Sequence, residues 1–426
     1  MDPLLQLLII WLGVFVAAFA AQKTRLTSVL YFLAIGALLV NLDVLPEKSD
    51  PFIRGFAEIG IIVIMFALGF EESTSNFLKS IKRSWGIALF GGIAPFVTAY
   101  GVAEYFWSDT GISIMCGLAM TSTAVSLTMV SLKSEGLHRS PAATGIMTSA
   151  VLEDISSLVL VAILVPITTG GGSVSAADVA WIVFKAIGFF GIVTLIGSWL
   201  LPHKLEGLAA RIPFIRKYGI RHLLHIAEGE HSTLIVLTLA LSVGLIAHGL
   251  GFHPAVGAFM AGLVLKEEYF HLKGRVRGKY YEQTKAIVDN VAFSWIGPVF
   301  FVNLGTKLIF DWDIFVSVIP HTFVLTTGMI LAQVSSSGLA ARYTGNFTSG
   351  ESLMIGFGML GRAELAFVVL DIAYVQHQIL STPAFYTLMF TAFWLNVAVP
   401  VTIAWWKPYY TGEKKFLGLS GPATEK

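Results

Sequence analysis

One cysteine, Cys116, stands in 426 residues, so neither a disulfide framework nor a cysteine-based metal site is available. Charge is also scarce. Only 13% of the residues are charged, against about 25% in a soluble domain. No Walker-type Gly-x-x-x-x-Gly-Lys-Ser/Thr run occurs, so the energy for any transport must come from elsewhere than a nucleotide held that way. No Rossmann-type unit signalling a nucleotide-binding regulatory domain follows the last apolar segment. No pore-lining ring or filter stands out, which removes the strongest mark of a channel. A nucleophile–base or metal constellation is missing too, so an enzyme is not expected. His248 and His253 flank one turn, and His222, His225 and His231 lie in one loop. Five-residue spacings do not put ligands on one helical face, so these histidines predict no metal site; titration near neutrality suits them to pH sensing instead. The apolar start, Met1 to Ala21, lacks a basic first segment and a small-residue cleavage site, and reads as a first span rather than a cleaved signal.

What the chain has in abundance is apolar sequence: 55% of it, with 41 glycines suited to close helix packing and broken helices. This is the composition of an all-α polytopic membrane protein. A sliding window of ~19 residues predicts thirteen spans, near 4–21, 27–45, 52–70, 83–107, 111–132, 142–168, 179–201, 231–249, 252–266, 287–309, 313–341, 351–376 and 383–406. With the N-terminus outside and the C-terminus in the cytoplasm, the outer loops hold only Lys48 and Arg54. Lys185, Lys307 and Arg362 fall within or at the edge of spans, and the rest of the 28 basic residues face inward. That bias is the positive-inside rule. Two inner loops, His203 to Gly229 and Lys266 to Lys285, mix bases with large apolar residues. Both fit surface-lying segments on anionic headgroups, and both equally fit solvated loops.

Against that background the polar residues inside spans are conspicuous. Glu153 and Asp154 sit side by side near the middle of the sixth. An ionisable group there costs several kcal/mol unless it meets a partner, an ion or water, which makes it a transport or proton-relay site by default. The plainer alternative is a protonated pair that only ties helices together. The fifth span carries Thr121, Ser122 and Thr123 in a row, with Ser126 and Thr128 beyond. Consecutive hydroxyls let a helix unwind by satisfying freed backbone groups, although they also serve as glue between helices. The twelfth carries Gly356, Gly358 and Gly361, then Arg362 and Glu364. Glycine permits a break, and charges two residues apart do not share a helix face, so each needs its own partner; a purely structural ion pair is the alternative. The fifth and twelfth helices are seven places apart. Helices 1–6 and 8–13 therefore form two inverted six-helix repeats, with crossed broken helices at matching places.

These residues resemble the monovalent cation:proton antiporter-2 family. The likeness runs through Thr121-Ser122-Thr123-Ala124-Val125, Leu152-Glu153-Asp154 and Gly358-Met359-Leu360-Gly361-Arg362-Ala363-Glu364-Leu365-Ala366, with further similarity at Ile59 to Glu72 and Phe300 to Gly305. The resemblance covers nearly the whole chain and implies a single transporter unit over 1–426 with a sodium/proton antiporter fold. It implies a homodimer, with a dimerisation domain at 4–70 and 231–309 (helices 1–3 and 8–10). A core ion-transport domain follows at 83–168 and 313–406 (helices 4–6 and 11–13), and 179–201 is a linker helix. Asp154 falls on the ion- and proton-binding aspartate, Glu153 on its neighbour, and Thr121, Ser122 and Thr123 on the unwound stretch. Two departures matter. Relatives carry Asp, Asn or Gln where this chain has Glu153, and Gln333 stands where many electrogenic relatives carry a lysine. Gln333, Arg362, Glu364 and Ser157 are the supporting polar residues of the core.

The expected function is secondary active exchange of a monovalent cation, Na+, K+ or Li+, for H+ by alternating access, in the service of pH homeostasis. A desolvated carboxylate holds a proton or a hard cation but rarely both, and oxygen ligands suit such a cation. Successive helix residues point ~100° apart, so Asp154 is expected in the cavity and Glu153 toward packed helices, protonated and structural. Exchange is then electroneutral; the rival has both carboxylates cycling. An ion-coupled symporter of an organic anion is the alternative function. No cofactor and no nucleic-acid partner are expected. The expected location is the inner (plasma) membrane, with membrane lipid, anionic lipid included, as a partner.

Overall fold

The apolar runs become helices because lipid offers a backbone no hydrogen-bond partners, leaving each segment to satisfy its own. The computed structural model describes residues 1–24, 26–71, 74–169, 176–195, 224, 231–265, 267–270, 279–362 and 364–414. No strand occurs among the described residues. The helices are α1 (Pro3–Thr24), α2 (Ser28–Asn41), α3 (Pro51–Glu71), α4 (Thr74–Trp107), α5 (Thr110–Ala119), α6 (Val125–Ser134), α7 (Pro141–Thr169) and α8 (Ala176–Leu195). The second half gives α9 (Ser232–Gly249), α10 (Pro254–Val264), α11 (Lys279–Asn290), α12 (Gly297–Gly305), α13 (Trp312–Tyr343), α14 (Ser349–Gly358), α15 (Glu364–Leu370) and α16 (Thr382–Tyr410). Among the described residues, nine helices are long and apolar enough to cross a membrane, while α2, α5 and α10 are apolar but shorter.

Local chemistry sets many of the boundaries. Asp109 accepts from the Ile112 amide at the start of α5, and Asp311 accepts from the Asp313 and Ile314 amides at the start of α13. Thr348 and Glu351 form a reciprocal capping box ahead of α14. The fifth predicted span is two ten-residue helices, α5 and α6, and the twelfth is α14 followed by α15, so both expected breaks are present. A π-helical turn, Val291–Trp295, precedes α12, and another, Asp371–Gln376, continues α15. The segment His203 to Gly229 lies outside the described residues apart from Leu224. Of Lys266 to Lys285, only the turn Glu267–Phe270 and the start of α11 are described.

The helices group into two units. The first comprises Met1–Trp11, Ser49–Asn76 and Val165–Asn303. Its centre is α3 against α10, where a Cβ at Gly262 would run into the backbone of Phe66 and Phe70. Phe70 also meets Tyr281 and Phe270 at ring separations of 5.1 and 5.8 Å, and Lys285 bridges Asp289 (3.1 Å) and Glu71 (3.7 Å). The second comprises Leu12–Lys48, Phe77–Leu164 and Leu304–Lys426. There α13 packs on α14 and α16, and both broken helices lie within it. A Lys407–Glu135 ion pair of 3.1 Å ties α16 to the end of α6.

Candidate functional site

The breaks at 120–124 and 359–362 meet. The Ala124 amide donates to the Gly361 carbonyl at 3.0 Å, and the Thr128 hydroxyl donates to the Gly358 carbonyl at 2.6 Å. Groups that a continuous helix would pair internally are thus paired across the two segments. Four helix ends converge, two bearing carbonyls and two bearing amides. The carbonyl end of α14 is closed by the chain's own Arg362, whose Nη1 donates to Met359, Leu360 and Gly361 at 3.2, 3.4 and 3.0 Å. Glu364, buried, occupies the first turn of α15, where the positive end of the helix dipole favours a carboxylate.

The spelling Gly356-x-Gly358-x-x-Gly361 matches the glycine pattern of dinucleotide loops by letter. It runs from the end of α14 into the break, with no strand before it, so it is not a phosphate cradle.

Glu153 and Asp154 diverge as adjacent helix positions must. Glu153 is 1% exposed and Asp154 is half-buried. The Ser122 hydroxyl donates to Asp154 Oδ1 at 3.0 Å, and the Thr123 hydroxyl donates to Glu153 Oε2. Thr121 donates to the Leu118 carbonyl at 2.8 Å, inside the last turn of α5. All three hydroxyl residues are buried, and Ser157, also buried, lies one turn beyond Glu153 on α7.

Gln333 and Arg362, expected only as supporting residues, form the densest part of the site. Both are fully buried. The Gln333 amide nitrogen donates to the Gly91 carbonyl (3.2 Å) and the Ser337 hydroxyl (2.9 Å), while its oxygen accepts from Arg362 Nη2 at 2.7 Å. Arg362 and Glu153 are both buried in the same unit. Each keeps one buried atom, Nε of Arg362 and Oε1 of Glu153, without a hydrogen bond among the described residues. One is a donor and the other an acceptor, so the two are complementary.

Three contributors escaped the sequence reading. Asn396 brackets the break: its amide oxygen accepts from the Arg362 backbone N–H at 3.1 Å, and its nitrogen donates to the Arg362 carbonyl at 2.7 Å. Ser337 follows Gln333 by one turn. Gly91 gives the cluster its space, since a Cβ there would lie 2.9 Å from both Glu153 Oε1 and Ser337 Oγ. A lone asparagine at the middle of the last span was the available signal for the first; Gly91 looks like any packing glycine.

Chemically, the arrangement offers an accessible carboxylate among hydroxyl and carbonyl oxygens, beside a buried carboxylate and a buried guanidinium. A small monovalent cation or a proton suits the former. Among the described residues no group of three or more His, Cys, Asp or Glu could hold a resident metal.

The family described as sodium/hydrogen exchanger, transmembrane, matches residues 8–406. A Na(+)/H(+) antiporter of Enterococcus hirae is 25% identical over 354 residues, 83% of this chain and 84% of the relative. The Na(+)/H(+)-K(+) antiporter GerN of Bacillus cereus is 25% identical over 340 residues, 79% of this chain and 80% of that one. Among solved structures, the sodium proton antiporter MjNhaP1 of Methanocaldococcus jannaschii at pH 8 superposes with a TM-score of 0.68 at 14% identity. The match covers 96% of this chain and all of that one (100%).

Proposed function

The chain belongs to the sodium/hydrogen exchanger family, and from that premise we propose that it exchanges Na+ or K+ for protons, with Asp154 as the carboxylate for which they compete. The observation carrying this reading is the pairing of Asp154, half-buried, with Ser122 at the crossing of two broken helices. The unwound 120–124 stretch offers hydroxyls and carbonyls, and the carbonyl end of α5 adds negative potential beside the carboxylate. A cation that displaces the proton from Asp154 leaves the charge of the site unchanged. Alternating access then couples the two fluxes without ATP.

In place of the protonated Glu153 expected from the sequence, Glu153 is ionised and acts with Arg362 as a fixed internal pair. Their charges offset one another in every state of the cycle, so Asp154 alone titrates and one proton exchanges for one cation. Arg362 thereby fills the electrostatic place of the lysine absent at Gln333. Thr121, Thr123, Ser157 and Glu364 support the site by holding the breaks and the pair.

The assembly proposed is a homodimer in the plasma membrane, N-terminus outside and C-terminus cytoplasmic. Residues 4–70 and 231–309 dimerise, 83–168 and 313–406 carry the ion, and 179–201 link them. The relatives named above are cation:proton antiporters, so organic-anion symport has no support from them. The deciding experiment loads proteoliposomes with a pH gradient and adds Na+, K+ or Li+ in turn. Cation-driven proton flux is expected from wild type and not from Asp154→Asn. Flux of normal size from the variant would overturn the assignment of the site.

A further inference from the structure

Within the larger unit, α2, α13 and α16 line a cavity of about 1070 Å³ that contains none of the ion-site side chains. Its wall is apolar, with Leu33, Ala34, Val318, Met389 and Trp394 among the lining residues. Four polar residues stand on the wall, Asn41, Thr322, Thr326 and Thr327. Asn41, at one end, donates to the Ala37 and Leu308 carbonyls at 2.7 and 2.8 Å and accepts from the Phe310 amide at 2.6 Å. The Thr322 and Thr326 hydroxyls are buried without a hydrogen-bond partner among the described residues. Leu38, Phe323 and Val401 line the cavity and are exposed, so it is open on one side, and in a membrane-spanning chain that side faces the bilayer.

An apolar cavity of ~150 Å³ stays dry, but this one is several times larger. Water has too few polar partners here to fill it. The dimensions point to one occupant. The lining runs from Leu30 to Asn41 on α2 and from Met389 to Val401 on α16, roughly 16–18 Å at 1.5 Å per residue. Half of a ~30 Å hydrocarbon core is about 15 Å.

We propose that this cavity seats an acyl chain of a membrane lipid from the leaflet at the Asn41 end of α2. Its deep end adjoins the ion site: Ile330 lies one turn before Gln333, and Val397 follows Asn396. Those two amides hold Arg362, so the seated chain buttresses the segments that fix the internal charge pair. The effect on exchange rests on the function proposed above; the binding of the chain does not.

The test reconstitutes the protein in phosphatidylcholine vesicles doped with a phosphatidylcholine bearing a diazirine near the end of one chain. Photolysis and peptide mapping then locate the adducts. Leu38 and Phe323 line the cavity and are exposed to its interior, so inner adducts are expected on them beside outer ones on Leu331 and Leu339, which are exposed on α13 away from the cavity. Ala34→Trp, which fills the cavity, should cut the inner adducts at least tenfold, spare the outer ones and slow exchange at least threefold. Thr327→Trp provides a second filling variant should the first lower the melting temperature. Adducts confined to outward residues in wild type, or inner adducts indifferent to both variants, would refute the site. Loss of inner adducts with unchanged exchange would refute the buttress. Wild-type flux in the same vesicles tests the transport reading separately.

Discussion

If Glu153 and Arg362 form a fixed neutral pair, membrane potential has nothing to act on over a full cycle. The magnitude follows from counting charge at the site. Asp154 with a proton and Asp154 with a monovalent cation carry the same charge, and the buried pair adds zero to both. A stoichiometry in which Glu153 also cycled would move one net charge per turnover. At ~100 mV that charge is worth ~2.3 kcal/mol, or about fiftyfold in the cation gradient at equilibrium. The assay is a proteoliposome in which a thiocyanate gradient sets the potential, so that no potassium is added, while a pH-sensitive dye reports proton flux until it stops. The stopping point should coincide at 0 and ~100 mV in wild type. Glu153→Gln keeps an acceptor for the Thr123 hydroxyl but leaves the Arg362 charge unmatched. It should slow turnover while the stopping point remains independent of voltage. A wild-type stopping point that moves with potential, and ceases to do so in Glu153→Gln, would refute the fixed pair.

Arg362→Met should cost about 3–5 kcal/mol by leaving Glu153 buried without its counter-charge, and it also strands the Gln333 oxygen; a thermal midpoint in detergent equal to wild type would contradict this. Arg362→Lys should recover only part, because an ammonium lacks the planar fork that reaches Gln333 and three carbonyls together. Gly91→Ala should destabilise by ~1–3 kcal/mol through overpacking, whereas Gly92→Ala, whose Cβ would come no closer than 3.8 Å to Glu153, should be neutral; equal effects in paired melts would sink the packing argument. Competition at Asp154 predicts that each tenfold rise in cation concentration shifts the acid limb of the pH–rate profile by about one unit toward lower pH, and a limb that stays in place would exclude competition.

The parts of this site that could be read from the sequence are those whose chemistry is wrong for lipid. Glu153, Asp154 and Arg362 are too costly in a membrane to be incidental, and the Thr121–Thr123 and Gly356–Gly361 runs are too poor as helix to pass unbroken. The crossing itself was legible as a pattern of two breaks seven helices apart. Partner choice was not. Asn396 and Ser337 are ordinary polar residues in apolar spans, and only the folded chain brings them to Arg362 and Gln333. Arg362 could be paired on paper with Glu364, yet its hydrogen bonds run to Gln333, Asn396 and the end of α14. The cavity beside α2 was invisible for a related reason: its wall is made of residues indistinguishable from any lipid-facing stripe.

The bracket that Asn396 places on Arg362 also bears on how the chain enters the membrane. Synthesis proceeds from the N-terminus at ~5–20 residues per second, so Arg362 emerges several seconds before Asn396, 34 residues later. During that interval the twelfth span must insert with an arginine near its centre, a step costing ~2.5–3.5 kcal/mol on insertion scales. The backbone groups of its break still lack the amide that will hold them. The span is therefore a weak stop for the insertion machinery until its successor arrives, and the two are best regarded as entering as a pair. A nascent chain halted between them would expose a stranded guanidinium to the quality-control proteases of the membrane.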